Sequence, residues 1–113
     1  MTTVTIYHNP RCSKSRQTLT LLQERGLEIQ VIEYLKTPPD SQAILQLTKK
    51  LNIAPRDLIR EKEYLALGLG ETDDPATLIQ RMADHPGIIQ RPIVVHGDTA
   101  RIGRPPENVL EIL

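Results

Sequence analysis

The chain has 113 residues, with 14 acidic and 14 basic residues and a single cysteine. This length suits one domain that buries an apolar core without disulfide bonds or structural metal. The formal net charge of zero gives no general attraction to nucleic acid or to an anionic membrane, and no apolar run approaches the roughly 20 residues of a membrane span. We therefore expect one domain over residues 1–113, a monomer that binds neither nucleic acid nor membrane.

The first third of the chain predicts a strand, a helix and a second strand. Residues 4–7 form a short apolar run that ends at the turn residue Asn9. Helical spacing starts near Ser13 and ends before Gly26, a residue suited to a C-terminal cap. Residues 28–34 alternate and are β-branched. This succession indicates a βαβ unit with parallel strands.

The middle third predicts a helical insertion. One helix is expected over residues 41–51 with Asn52 at its end, and a further helical turn over residues 55–60. Asp74 followed by Pro75 is typical of a helix start, with a carboxylate cap before a proline at the first helical position. That helix should end near residue 85, ahead of the next proline.

The last third predicts a hairpin and a closing helix. Residues 93–95 and 100–102 read as paired strands around a Gly97-Asp98 turn, and Pro105 opens the last helix. The element order βαβ, helical insertion, ββα is that of a thioredoxin-like fold, an α/β fold with a mixed four-stranded sheet flanked by helices. In such a fold the segment between the first strand and the first helix lies at the carboxyl edge of the sheet, where ligands bind.

Cys12 lies in that segment, within the run His-Asn-Pro-Arg-Cys-Ser-Lys-Ser-Arg. The cations Arg11, Lys14 and Arg16 and the unpaired N–H groups of a helix start all favour a thiolate. His8 adds positive charge when it is protonated. We favour a reactive thiol over the alternative, a small buried hydrophobe beside a solvated basic turn.

The residues at fixed distances from Cys12 limit the classes of thiol chemistry that it can perform. A dithiol oxidoreductase needs Cys-x-x-Cys, and position 15 is Ser15. A tyrosine-phosphatase loop needs an arginine six residues after the cysteine, where this chain has Thr18. A cysteine hydrolase needs a paired histidine, and His8 is only a weak candidate. Because the chain has one thiol, any product formed on Cys12 must be resolved by a thiol from outside.

The cysteine count and the first residues bear on location and metal binding. One free cysteine fits a reducing compartment, and residues 1–4 lack the pattern of a signal peptide. We therefore expect a cytoplasmic protein. The scattered histidines and the single cysteine give no spacing suited to zinc, so no metal site is predicted.

Three arginines at element boundaries suggest an oxyanion site. Arg91 and Arg104 each precede a proline, and Arg60 ends the predicted helical turn. The planar guanidinium fork matches tetrahedral oxyanions, although each arginine alone fits a surface charge, and Glu61 or Glu63 could pair with Arg60. By fold analogy, the proline after Arg91 is expected to be cis and to face the cysteine.

These features together resemble the glutaredoxin-coupled arsenate reductases, over nearly the whole chain. The matching blocks are Tyr7 to Arg16, Tyr34 to Pro39, Leu58-Ile59-Arg60, His85-Pro86, Arg91 to Val95 and Arg104 to Glu107. The resemblance implies that Cys12 attacks arsenate while Arg60, Arg91 and Arg104 hold the oxyanion and His8 helps to keep the thiolate. It also implies an oxyanion loop that consists of Ser13, Lys14, Ser15 and Arg16.

The resemblance further implies the partners of the reaction. Glutathione would attack the Cys12–arsenate adduct and reduce As(V) to As(III), and glutaredoxin would remove the glutathione, with no tightly bound cofactor. Two alternatives stay open. One is a redox-responsive regulator that binds RNA polymerase, although such regulators sense oxidation with Cys-x-x-Cys. The other is a monothiol glutathione-dependent thiol transferase, which would use the Cys-x-x-Ser pattern.

Overall fold

The computed structural model describes residues 3–113. This part of the chain divides into two compact units, one of residues 3–37 with Arg91–Leu113 and one of Pro38–Gln90. The prediction of a single domain stays a prediction, and the two units are described separately below.

The first unit carries the sheet. In chain order it contains β1 (Thr3–His8), α1 (Ser13–Glu24), β2 (Glu28–Glu33), β3 (Ile93–His96), β4 (Thr99–Ile102) and a 3₁₀ helix at Pro106–Ile112. The strand order is β2-β1-β3-β4. β1 is parallel to β2, whereas the β1–β3 and β3–β4 pairs are antiparallel. The predicted thioredoxin-like α/β fold with a mixed four-stranded sheet is therefore confirmed.

The core of this unit follows from the alternation along β1. Val4 and Ile6 are buried on one face of the strand, and the register places Ile6 beside both Val31 and Val94. Leu22 of α1 packs onto this face in the same apolar cluster. Because side chains two apart share a face, the last residue of β1 on this face is His8, which is consequently buried at the carboxyl end of the strand.

Helix α1 begins one residue after the cysteine. Cys12 is its N-cap, with an extended backbone (φ −92°, ψ 122°) and no side-chain hydrogen bond to the first turn. No acidic residue lies in that first turn. The helix ends before Gly26, whose φ of +68° lies in the left-handed region that glycine adopts without a steric penalty.

The second unit is helical. It contains α2 (Ser41–Leu51), a 3₁₀ helix at Pro55–Leu58, α3 (Glu61–Ala66), α4 (Pro75–Asp84) and a 3₁₀ helix at Pro86–Ile88. The Asp40 carboxylate accepts a hydrogen bond from Ala43 N–H at 2.8 Å, and Asp74 caps α4 in the same way through Thr77 N–H at 3.1 Å. Asn52 ends α2 with a φ of 58°. The predicted helix starts and stops of α2 and α4 are therefore correct.

Three elements differ from the expectations. The 3₁₀ helix at Pro86–Ile88 was not predicted, because three residues are too few to show a helical pattern. Helix α3 was not predicted, because its six residues are too few to show a helical period. The closing helix is 3₁₀ over Pro106–Ile112, where the sequence predicted an ordinary helix. None of the helices within residues 3–113 has the length and apolar character to cross a membrane.

Candidate active site

Cys12 is held in a tight turn between β1 and α1. Its N–H donates to the carbonyl of Asn9 at 3.0 Å, and its own carbonyl accepts the N–H of Arg16 at 3.0 Å. The backbone N–H groups of Lys14 and Ser15 lie close enough to hydrogen-bond to the sulfur. These are among the first N–H groups of a helix, which have no partner within the helix, so they are available to an anion at Sγ.

The surroundings of Sγ favour its ionised form. Partial burial raises the pKa of Cys12, but the N–H groups of Ser15 and Lys14, the charge of Arg104 and a hydrogen bond from Arg91 together lower it more. The net pKa therefore lies below the ordinary value for cysteine. Hydrogen bonds and positive charges that act on the charged form produce this change, and a thiolate is the nucleophilic state of cysteine.

Two of the three predicted arginines lie at this sulfur. Arg104 Nη2 is 3.4 Å from Cys12 Sγ, and Arg104 Nε donates to the Arg91 carbonyl at 2.7 Å. Both arginines precede prolines in cis peptide bonds, as fold analogy predicted for Arg91. The start of β3 and the segment after β4 thus bring two guanidinium groups to one thiolate. An oxyanion next to Sγ would meet planar donors that fit its geometry.

The side chain of Ser15 connects the end of β1 to α1. Ser15 is fully buried. Its Oγ lies 2.6 Å from His8 Nδ1 and accepts the N–H of Asn9 at 3.0 Å. The tautomer of His8 decides whether the ring or the hydroxyl donates in the first of these bonds. The serine at the fourth position of Cys-x-x-Ser therefore orders the loop that holds Cys12.

His8 favours its neutral form. Burial lowers the pKa of His8 most strongly, the carboxylate of Glu33 opposes this effect, and the charge of Arg16 lowers the pKa further. Glu33 is close because it is the β2 residue opposite His8 in the parallel ladder. The positive charge beside Cys12 at neutral pH therefore comes from the arginines rather than from His8.

Asn9 is a site residue that sequence reasoning treated only as a turn signal. It is 8% exposed, and its Oδ1 accepts the N–H of Arg11 at 3.0 Å. Arg16 closes the same loop from the helix side, because its Nη1 donates to the Pro10 carbonyl at 2.9 Å. Asparagine side chains commonly make such local turns, which is the signal that could have identified this role.

The other predicted loop residues face outward to different degrees. Ser13 and Arg16 are exposed, and Lys14 is half-buried. The contribution of Lys14 to the sulfur is its main-chain N–H, so its side chain is not the group that lowers the thiol pKa.

Arg60 belongs to the second unit. It precedes α3, its Nη2 donates to Glu63 Oε1 at 3.2 Å, and its Nε lies 3.2 Å from the other carboxylate oxygen. This is the pairing with a neighbouring glutamate that the sequence left open as an alternative. The role of Arg60 at an oxyanion stays a prediction. In residues 3–113, no three His, Cys, Asp or Glu side chains are grouped to hold a metal ion.

Comparison with known proteins gives consistent matches over the chain. A model of the ArsC family matches residues 7–112. The uncharacterized protein YfgD of Escherichia coli strain K12 is 52% identical over 97% of this chain and 96% of its own length. An arsenate reductase of Neisseria meningitidis is 44% identical over 100% of both proteins. An arsenate reductase structure from Vibrio cholerae has a TM-score of 0.93 at 47% identity, and the match covers 99% of this chain and 98% of that one.

Proposed function

This chain belongs to the ArsC family, and we propose that it reduces arsenate to arsenite through a covalent adduct on Cys12. The observation that carries this proposal is a single thiol of lowered pKa beside two guanidinium groups. The names of relatives at 44% and 47% identity over nearly the full chain support arsenate as the substrate.

The first step is a substitution at arsenic. The Cys12 thiolate attacks As(V), an As–S bond forms, and one arsenate oxygen takes up two protons from solvent and leaves as water. Arsenic remains As(V) in this adduct. The thiolate and the arsenate oxygens are both negatively charged and repel each other. Arg91 and Arg104 would offset this repulsion by placing positive charge beside the arsenate oxygens. Such fixed donors stabilise charge in the transition state without reorganising.

The reduction needs two electrons, and the single cysteine cannot supply both and return to a thiol. Glutathione displaces a second oxygen from the adduct as water, so that arsenic carries two sulfur ligands. A glutaredoxin thiolate then attacks the glutathione sulfur and forms a mixed disulfide. The electron pair of the broken As–S bond stays on arsenic, which becomes As(III), and water releases arsenite and the Cys12 thiol. Thiolate attack of this kind requires a reducing compartment such as the cytoplasm.

The test is arsenate-dependent oxidation of NADPH in an assay coupled through glutathione, glutathione reductase and glutaredoxin. The wild-type protein should oxidise NADPH only when arsenate is present. Cys12→Ser should lose this turnover and keep the wild-type unfolding temperature, because serine fits the half-buried position and is not ionised. Turnover by Cys12→Ser would contradict the adduct. In the same assay without glutaredoxin, NADPH oxidation that depends on this protein and on a glutathionylated peptide, and not on arsenate, would instead indicate a thiol transferase.

A further inference from the structure

Gly103 fills a position in the first unit where no other residue fits. A Cβ built on it would lie 2.6 Å from Thr18 Oγ1 and 2.8 Å from Pro92 Cγ, distances that real side chains do not adopt. Its φ lies outside the left-handed region, so the conformation alone does not require glycine. The requirement is space, where the segment after β4 crosses α1 and the start of β3.

The neighbours of Gly103 cannot easily move away. Thr18 is fully buried and β-branched, which restricts its χ1 in a helix. Its hydroxyl donates to the carbonyl of Lys14 at 2.8 Å, which holds the Oγ1 on the side of the contact. Pro92 is also buried, and its ring has little freedom. An added methyl group would therefore displace the backbone at residue 103.

That backbone leads directly into the guanidinium that touches the thiolate. Gly103 N–H donates to the Pro92 carbonyl at 2.9 Å. The next residue, Arg104, places its Nε 2.7 Å from the Arg91 carbonyl and its Nη2 3.4 Å from Cys12 Sγ. We propose that Gly103 is a positioning residue: its missing side chain lets the segment after β4 pack against Thr18 and Pro92, and this packing sets Arg104 on the Cys12 sulfur.

This inference deepens the proposed function, because it rests on Cys12 as the nucleophile, but it can be measured without arsenate. Cys12 is the only cysteine, so the rate of alkylation by iodoacetamide against pH reports its pKa directly. A failure of arsenate turnover in the wild-type protein would affect the proposed function and leave this measurement intact.

Gly103→Ala should raise the pKa of Cys12 by about one unit, the change expected when a nearby opposite charge withdraws. One pH unit below the wild-type pKa, alkylation should slow about threefold to fourfold. A roughly tenfold smaller thiolate fraction is partly offset by the greater nucleophilicity of a more basic thiolate. The matched control is Gly87→Ala, because a Cβ on Gly87 meets nothing within 4 Å, and its alkylation profile should equal that of the wild type.

A double-mutant cycle of Gly103→Ala and Arg104→Ala distinguishes an effect on the position of Arg104 from a general loss of structure. If Gly103 acts through Arg104, Gly103→Ala should not change the thiol pKa further in the Arg104→Ala background. Its effect on the unfolding temperature should be the same in both backgrounds. An equal pKa increase with and without Arg104, or a wild-type pKa in folded Gly103→Ala, would overturn the proposal.

If Gly103→Ala does not fold, Thr18→Ala/Gly103→Ala provides the same test. This double variant removes the contact at 2.6 Å and keeps the one with Pro92 at 2.8 Å. The pKa should then rise by less than one unit relative to Thr18→Ala. A pKa equal to that of Thr18→Ala would overturn the proposal.

Discussion

Arg104 Nη2 lies 3.4 Å from Cys12 Sγ, although 92 residues separate the two in the chain. The contact depends on the strand order, because β3 lies beside β1 and carries β4 on its other edge. The segment after β4 therefore returns to the loop after β1. The other end of the same guanidinium donates to the Arg91 carbonyl, so the fork is fixed at two points and cannot be replaced by a point charge.

Arg104→Lys should keep the charge near the thiolate and lose the second anchor. We expect kcat/KM for arsenate to fall about tenfold to hundredfold, since a hydrogen bond to a charged group contributes about 1.5–3 kcal/mol. Steady-state kinetics in the coupled assay measure this loss. The unfolding temperature should change little, because Arg104 is exposed.

The matched control for that variant is Arg101→Lys on β4. Arg101 pairs with Glu111 at 3.2 Å, at the surface and away from the sulfur contacts described above. Its replacement should leave kcat/KM within about a factor of two, because exposed ion pairs contribute about 0–1 kcal/mol. Equal losses in the two variants would show that general charge, rather than the fork of Arg104, governs the reaction.

The lowered pKa of Cys12 predicts a shift in its titration. The alkylation rate of the folded protein should rise with pH through a midpoint below that of the same chain unfolded in urea, because the loop contacts act only in the folded state. Because the thiolate is the reactive form, the folded protein should be alkylated faster than the unfolded chain at mildly acidic pH. A midpoint equal to or above that of the unfolded chain would contradict this electrostatic account of the site.

Ser15→Ala should destabilise the protein by about 1–3 kcal/mol, the usual cost of leaving buried polar groups without a partner. The Asn9 N–H loses its acceptor and the His8 ring loses its neighbour. Urea unfolding measures the change. Thr20→Ala on the same helix removes an exposed hydroxyl that donates to the Arg16 carbonyl at 3.1 Å, and it should stay within about 0.5 kcal/mol of the wild type. A Ser15→Ala effect no larger than this control would contradict the role of the buried hydroxyl.

The fold was predictable where the signals are local. The range of α2 equals its predicted range, since Asn52 marks its end and a regular apolar stripe marks its length. The closing segment was harder, because over the seven residues of Pro106–Ile112 an apolar spacing of three does not distinguish a 3₁₀ helix from an α-helix. Helix α3 is shorter than two turns and carries no capping side chain.

The same division holds for the site. The helix start that offers the N–H groups of Lys14 and Ser15 to Cys12 is visible in the sequence. The neighbouring cations, by contrast, are not the side chains that lower its pKa, because that charge comes from Arg104 and Arg91, which only the fold brings to the sulfur. The sequence does not reveal that position 103 has no room for a side chain, because the residues that fill the space, Thr18 and Pro92, lie elsewhere in the chain. The neutral state of His8 is also invisible in the sequence, where the run of cations suggests the opposite, since burial at the end of β1 produces it.

The buried His8 predicts an acid limit of stability. Its pKa in the folded state lies below the ordinary value of 6.5, chiefly through burial. As the pH falls through 6.5, His8 therefore binds a proton in the unfolded chain before it does so in the folded protein. The stability that neutral His8 contributes is complete above about pH 6.5 and is lost as the pH falls from there toward the folded-state pKa. Urea unfolding from pH 8 to pH 5 measures this loss. The free energy of unfolding of the wild type should approach that of His8→Gln as the pH falls, and the carboxylate titrations common to both proteins cancel in the difference. Glu33→Gln removes the charge that raises the pKa of His8. In that background the stability contributed by His8 should therefore go on decreasing down to a lower pH than in the wild type. A difference that stays constant across the range would show that His8 titrates alike in the folded and unfolded states.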